Sequence, residues 1–148
     1  MDKIQTLEII LIEDDMADAE LTIRALKKNK MVNNLVHLKD GKEAIDFLFA
    51  TGQYTGNERV KHPRLILLDL KMPGMSGIDV LKKIKSEELT KHLPVVVLTS
   101  SKEHPDVKEC YRLGVNSYIV KPVEFENFSK AVTQIGFYWL LLNHPPVD

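Results

Sequence analysis

Cysteine is almost missing from this chain of 148 residues: Cys110 is the only one. No disulfide can form within the chain, so a packed core has to supply what covalent staples do not. A lone thiol fits a reducing compartment such as the cytoplasm. Its neighbours Val107 and Tyr111 mark Cys110 as a small core residue rather than a reactive one. Long apolar runs are also missing. The longest late run, residues 137–142, falls far short of the ~20 residues that span a bilayer. Glu8 and Glu13 interrupt the early stretch where a signal peptide would carry its apolar region. Neither sign of charge dominates. Lys and Arg number 20 against 21 Asp and Glu, a net charge of -1, which excludes a general affinity for nucleic acid or anionic membrane. The lysines at 27–30 and 82–85 read as solvated helix surface. His37, His62, His92, His104 and His144 are scattered without paired ligand spacing, which argues against a zinc site.

What is present is an ordinary globular composition, 44% hydrophobic and 28% charged, at a length that suits one domain with a sizeable core. Residues 7–12, 35–38, 65–68, 93–98 and 117–120 are short apolar runs, each bounded by polar or turn residues, and read as strands. Between them lie helical patterns over 16–28, from Asp40 onward, over 77–86 and after Pro105, with a last one over 124–142. Asp40 and Glu43 have the spacing of an N-cap and its partner, Ser76 caps the helix after it, and Gly114 stands at the stop position of the fourth helix. Five strands alternating with five helices predict an α/β domain with a parallel sheet covered on both faces. The polar stretch 51–63, with Gly52, Gly56 and Pro63, is a long connection of the kind that is functional or mobile.

In such folds ligands bind outside the carboxyl ends of the strands. Glu13, Asp14, Asp69, Thr99 and Lys121 all stand at predicted carboxyl ends. Taken singly, Asp69 is a capping aspartate, Lys121 a snorkelling lysine and Thr99 a strand-end residue. Taken together they call for a different explanation. Clustered carboxylates repel one another unless a cation neutralises them, and hard oxygen donors favour Mg2+ with a phosphate. Asp69 could then act as nucleophile toward a phosphoryl group and form an aspartyl phosphate. Lys121 and the Thr99 hydroxyl would be placed to stabilise charge on the phosphoryl oxygens.

Glu13-Asp14, Leu67-Leu68-Asp69-Leu70-Lys71-Met72-Pro73-Gly74, Leu98-Thr99-Ser100 and Lys121-Pro122 resemble the signature of response-regulator receiver domains, the phosphoacceptor half of two-component signalling. The likeness covers residues 7–135. It implies a flavodoxin-like (βα)5 fold with sheet order 2-1-3-4-5, the order the chemotaxis receiver exemplifies. It also implies phosphorylation of Asp69 by a histidine kinase, metal ligation by Asp14, Glu13, Asp69 and the carbonyl of Lys71, pairing of Lys121 with the phosphoryl group, and a switch made of Thr99 and Tyr118. Without the resemblance, Tyr118 is a half-buried strand aromatic. The acidic pair departs from the Asp-Asp of many members. Glu13-Asp14 suits the strand register, but a slip to Asp14-Asp15 would move the metal assignment by one residue.

The chain is expected to be a single receiver domain, with a core over 7–136, a helix extension to about 142 and no effector domain. Phe137, Tyr138, Leu140 and Leu141 add apolar surface off the stripe of the last helix, which suits either core packing or an intersubunit surface. The 51–63 insertion and the ending Trp139-Leu-Leu-Leu-Asn-His-Pro-Pro146 resemble the stand-alone regulators that partner bacterial phytochromes. That subgroup implies a phytochrome-type sensor kinase, a downstream relay or target protein, and a homodimer through the fourth and fifth helices and fifth strand. Two other functions compete: a Mg2+-dependent aspartyl-phosphate phosphatase or phosphotransferase, and a phosphorylation-independent scaffold. The first commonly carries an acid two residues after its nucleophile, where this chain has Lys71. The intact Asp69, Asp14, Thr99 and Lys121 argue against the second.

Overall fold

The computed structural model describes residues 9–28, 34–56, 63, 65–99 and 104–120. Within them five strands, β1 (Ile9–Ile12), β2 (Leu35–Leu38), β3 (Leu65–Leu68), β4 (Val95–Thr99) and β5 (Ser117–Val120), form one sheet in the order β2-β1-β3-β4-β5. Every pairing is parallel. β1 and β3 are apolar at all four positions and buried throughout, a pattern open only to strands covered on both faces. β2, at the edge, is half-buried over Leu35, Val36 and His37.

The helices α1 (Met16–Lys28), α2 (Gly41–Phe49), α3 (Gly77–Ser86) and α4 (His104–Arg112) connect the strands. Their ends follow local chemistry. The Asp15 carboxylate accepts from the Asp18 N–H at 3.0 Å and caps α1. Asp40 accepts from the Glu43 N–H at 2.8 Å and caps α2. Ser76 accepts from the Asp79 N–H at 3.2 Å and caps α3. Past α4, Gly114 takes a φ of 98°, its N–H bonding to Tyr111 O and that of Val115 to Cys110 O. These are the two bonds of a glycine-terminated helix end. Val80, Leu81 and Ile84 of α3 join Ala44, Phe47 and Leu48 of α2 and the central strands in the core. Cys110 is there too, and burial pushes its thiol up to about 11, which suits the inert core residue expected.

Boundaries differ from expectation at both ends of β4, which runs to Thr99, at α4, which begins at His104 before Pro105, and after α2. β4 begins at Val95 rather than Leu93. Pro94 has no N–H to give the ladder, and the Leu93 N–H closes a turn onto Thr90 O at 2.9 Å instead. The connection after α2 is not wholly irregular either: Gly52–Tyr54 form a short 3-10 turn, η1, packed edge-on through Tyr54 against the Phe47 ring. Leu7, Glu8, the 57–62 part of the insertion and the expected last helix with its apolar tail lie outside the described residues. Among the described residues no helix is long and apolar enough to cross a membrane.

Candidate functional site

The register decides what the sheet can present. Ile12 of β1 lies beside Leu38 of β2 and Leu68 of β3, and Leu68 beside Val97 of β4. The residues just past these positions therefore emerge on one rim. The Asp69 N–H donates to Ile12 O at 2.9 Å and the Glu13 N–H to Leu38 O at 3.0 Å. Both acidic residues thus leave the sheet with their backbones still tied to the neighbouring strand. Glu13 is 2% exposed and Asp69 5%, while Asp14 stands more open.

These bonds bring one carboxylate oxygen from each of Glu13, Asp14 and Asp69 to within 4.8 Å of one another. Three like charges so close, two of them buried, are costly without a cation or hydrogen-bond donors. The Asp15 N–H supplies one such donor, to Glu13 Oε2 at 3.3 Å. Asp15 itself is turned away to cap α1, so the one-residue slip left open by the sequence does not occur among the carboxylates that converge. The donor set is hard oxygen of a number and spacing that suit a small divalent cation.

The chain after Asp69 is folded back tightly. Leu70 and Met72 point into the core and Lys71 is exposed. Gly74 adopts a φ of 75°, and the Gly77 N–H returns to Leu70 O at 2.9 Å. A Cβ on Gly77 would overlap the Asp69 carbonyl oxygen and lie 2.5 Å from Leu70 Cα. Only glycine lets α3 begin directly against the peptide that carries Asp69. This close approach was not foreseen.

The other expected site residues are placed as follows. Thr99 ends β4 opposite Val120, so its backbone reaches the same rim. Tyr118 pairs with Val97 and packs half-buried against the core. Lys121 lies outside the described residues. Sequence reasoning passed over His37 as one of several scattered histidines. It stands on β2 opposite Leu11, and its Nε2 lies 2.7 Å from the Glu13 carbonyl oxygen.

A doubly wound parallel sheet with an acidic cluster outside the carboxyl ends of β1 and β3 is the arrangement typical of phosphoacceptor modules. Comparison with known proteins narrows it: residues 9–133 match the response regulator receiver domain model, and the chain belongs to that family. It is 40% identical over 138 residues to the probable methanogenesis regulatory protein FilR2 of Methanothrix harundinacea, covering 93% of this chain and 86% of the relative. Among solved structures it is similar to the phosphorylated cyanobacterial phytochrome response regulator RcpA, with a TM-score of 0.83 at 36% identity, over 97% of this chain and 100% of that one. It is also similar to the bacteriophytochrome response regulator AtBRR, with a TM-score of 0.76 at 45% identity, over 95% and 99%.

Proposed function

We propose that this chain is a phosphorylation-controlled binding module in which Asp69 accepts a phosphoryl group from a sensor histidine kinase. The observation that carries this is the convergence of the Glu13, Asp14 and Asp69 carboxylates within 4.8 Å at the carboxyl rim of the sheet. Glu13, Asp14 and Asp69, with the carbonyl of Lys71, would hold Mg2+. When bound, Mg2+ neutralises the acids and supplies positive charge for the phosphoryl oxygens. Asp69 provides the nucleophile: its carboxylate oxygen forms the new bond to phosphorus as the P–N bond of a phosphohistidine breaks, and the imidazole leaves with the electron pair. Lys121 pairs with a phosphoryl oxygen and the Thr99 hydroxyl donates to another. Thr99 moving toward the phosphoryl group frees space into which the Tyr118 ring turns, altering the surface around β5. The chemistry is self-catalysed transfer to, and hydrolysis from, one residue.

The likeness to RcpA and AtBRR, both phytochrome response regulators, supports a phytochrome-type kinase as partner, and the lone Cys110 suits a cytoplasmic setting. A receiver core over 7–136 with a helix extending to about 142 would pair with a second copy through α4, β5 and that helix, and pass the signal to a relay or target protein. Incubation with Mg2+ and a small acyl phosphate tests the proposal. An adduct stable for minutes, absent in Asp69→Asn, is expected. Rapid multiple turnover of a phosphomonoester would instead make the chain a hydrolase, and no adduct on the wild type would leave it a scaffold.

A further inference from the structure

The carbonyl that His37 contacts belongs to the peptide joining Glu13 to Asp14. A carbonyl oxygen can only accept, so Nε2 carries the proton and donates, at a distance near the short end for an N–H···O bond. The β1–β2 ladder stops at Ile12 and Leu38. Beyond it the Glu13 N–H is still held by Leu38 O, and the imidazole reaches up from one residue earlier on β2 to hold the carbonyl. Both polar groups of the Glu13 backbone are thus bonded to β2. The second bond fixes the plane of the peptide between the two acids, and any rotation of that plane about its flanking dihedrals would move the Glu13 and Asp14 carboxylates relative to Asp69.

We infer that His37 is a positioning residue for the cation site: its Nε2–H clamps the Glu13–Asp14 peptide so that both carboxylates face Asp69 before any metal arrives. The inference rests on the proposed reading of the acidic cluster as a metal site. The role belongs to one nitrogen, and side-chain geometry separates it from the ring's bulk. A glutamine places its amide nitrogen where Nε2 lies, whereas an asparagine reaches only as far as Nδ1.

The test is Mn2+ binding to the full, unphosphorylated chain, read from the electron paramagnetic resonance signal of the free ion, with thermal midpoints measured without metal. Wild type and His37→Gln should bind alike, while His37→Asn and His37→Val bind about tenfold more weakly, as when an outer-sphere partner of a metal ligand is lost. Midpoints of the Asn and Gln variants should agree. Equal Mn2+ affinity in the wild type, Asn and Gln variants would overturn the role of His37 while leaving the metal site standing, and so would Asn and Gln variants weakened alike. A wild type that binds no Mn2+, or an Asp14→Asn variant that binds as well as wild type, would overturn the metal site itself and the inference with it.

Discussion

Two groups of three acids lie close together in this fold, and they are built for different ends. At α2, the cap Asp40 and the helical Glu43 and Asp46 each turn to donors of the protein. Asp40 holds the Glu43 N–H. Glu43 accepts from the Lys39 N–H at 2.9 Å, Gln53 Nε2 at 3.3 Å and Tyr54 OH at 3.1 Å. Asp46 accepts from Lys42 Nζ at 2.7 Å and Thr51 Oγ1 at 2.8 Å, and these bonds, that to Lys42 foremost, hold its carboxyl below the usual carboxylate range. The rim acids come from the ends of two different strands and converge on one another. The α2 acids are distributed over one helix and its cap, each matched by nearby donors, and Glu43 and Asp46 staple the η1 turn to the helix. An acidic cluster is therefore suggestive of chemistry when long-range pairing gathers it, and of capping when its partners lie a few residues away.

The sharpest way to separate the two groups is to disturb the backbone under the rim. Gly77→Ala drives a methyl into the Asp69 carbonyl and Leu70 Cα, and both are backbone that cannot step aside. The expected loss is about 3 kcal/mol in urea unfolding, at the upper end for overpacking, with Mn2+ affinity falling as Asp69 shifts. A Gly77→Ala variant of wild-type stability would mean that the rim is not rigid.

Glu43→Ala makes the opposite perturbation. It removes the acceptor for Lys39, Gln53 and Tyr54 and should cost about 1 kcal/mol, the scale of a lost helix cap, with Mn2+ affinity unchanged. Burial, and then the bond to Glu43, raise the Tyr54 phenol above its ordinary value. In the variant the phenol loses the second cause, so spectrophotometric titration should find it ionising at lower pH than in the wild type. An altered Mn2+ affinity would show that the α2 corner and the rim are coupled.

The smallest effect concerns how the helices end. α4 closes through Gly114. α2 uses the same left-handed position but fills it with Ala50, at φ 54° and ψ 47°, while the Thr51 N–H reaches Asp46 O at 2.9 Å. A left-handed residue with a Cβ costs roughly 1–2 kcal/mol, part of which glycine returns through the entropy of the unfolded chain. Ala50→Gly should stabilise the protein by about 0.5 kcal/mol in the same urea experiment. A loss of stability would show that the turn into η1 needs the alanine methyl.

Much of this was legible before any coordinates. Leu65–Leu68 announces a strand buried on both faces, and Asp69 followed by Pro73 and Gly74 announces its end and the turn beyond. Pattern, turn chemistry and capping all agree there, so Asp69 could be placed at the carboxyl end of a buried strand. The acidic pair was less secure, since Glu13, Asp14 and Asp15 are consecutive and one residue of register separates two assignments. The register favours Glu13-Asp14 with Asp15 starting the helix, and the Asp15 carboxylate does cap α1. His37, Gly77 and Ala50 were out of reach for a different reason. Their roles depend on which backbone group lies across a strand pair or under a turn, and residue type does not encode that distance.

Whether the rim acids act as one site can be settled by following adduct formation from a small acyl phosphate against Mg2+ concentration, in the wild type and in Asp14→Asn. If Asp14 and Asp69 share a cation, the variant should need about tenfold more Mg2+ or greater for half-maximal rate, since losing a ligand is at least as severe as losing a ligand's partner. Its thermal midpoint without metal should be no lower than that of the wild type, because one of three clustered charges is gone. An Asp14→Asn variant phosphorylated at the wild-type rate with the wild-type Mg2+ dependence would contradict the shared site.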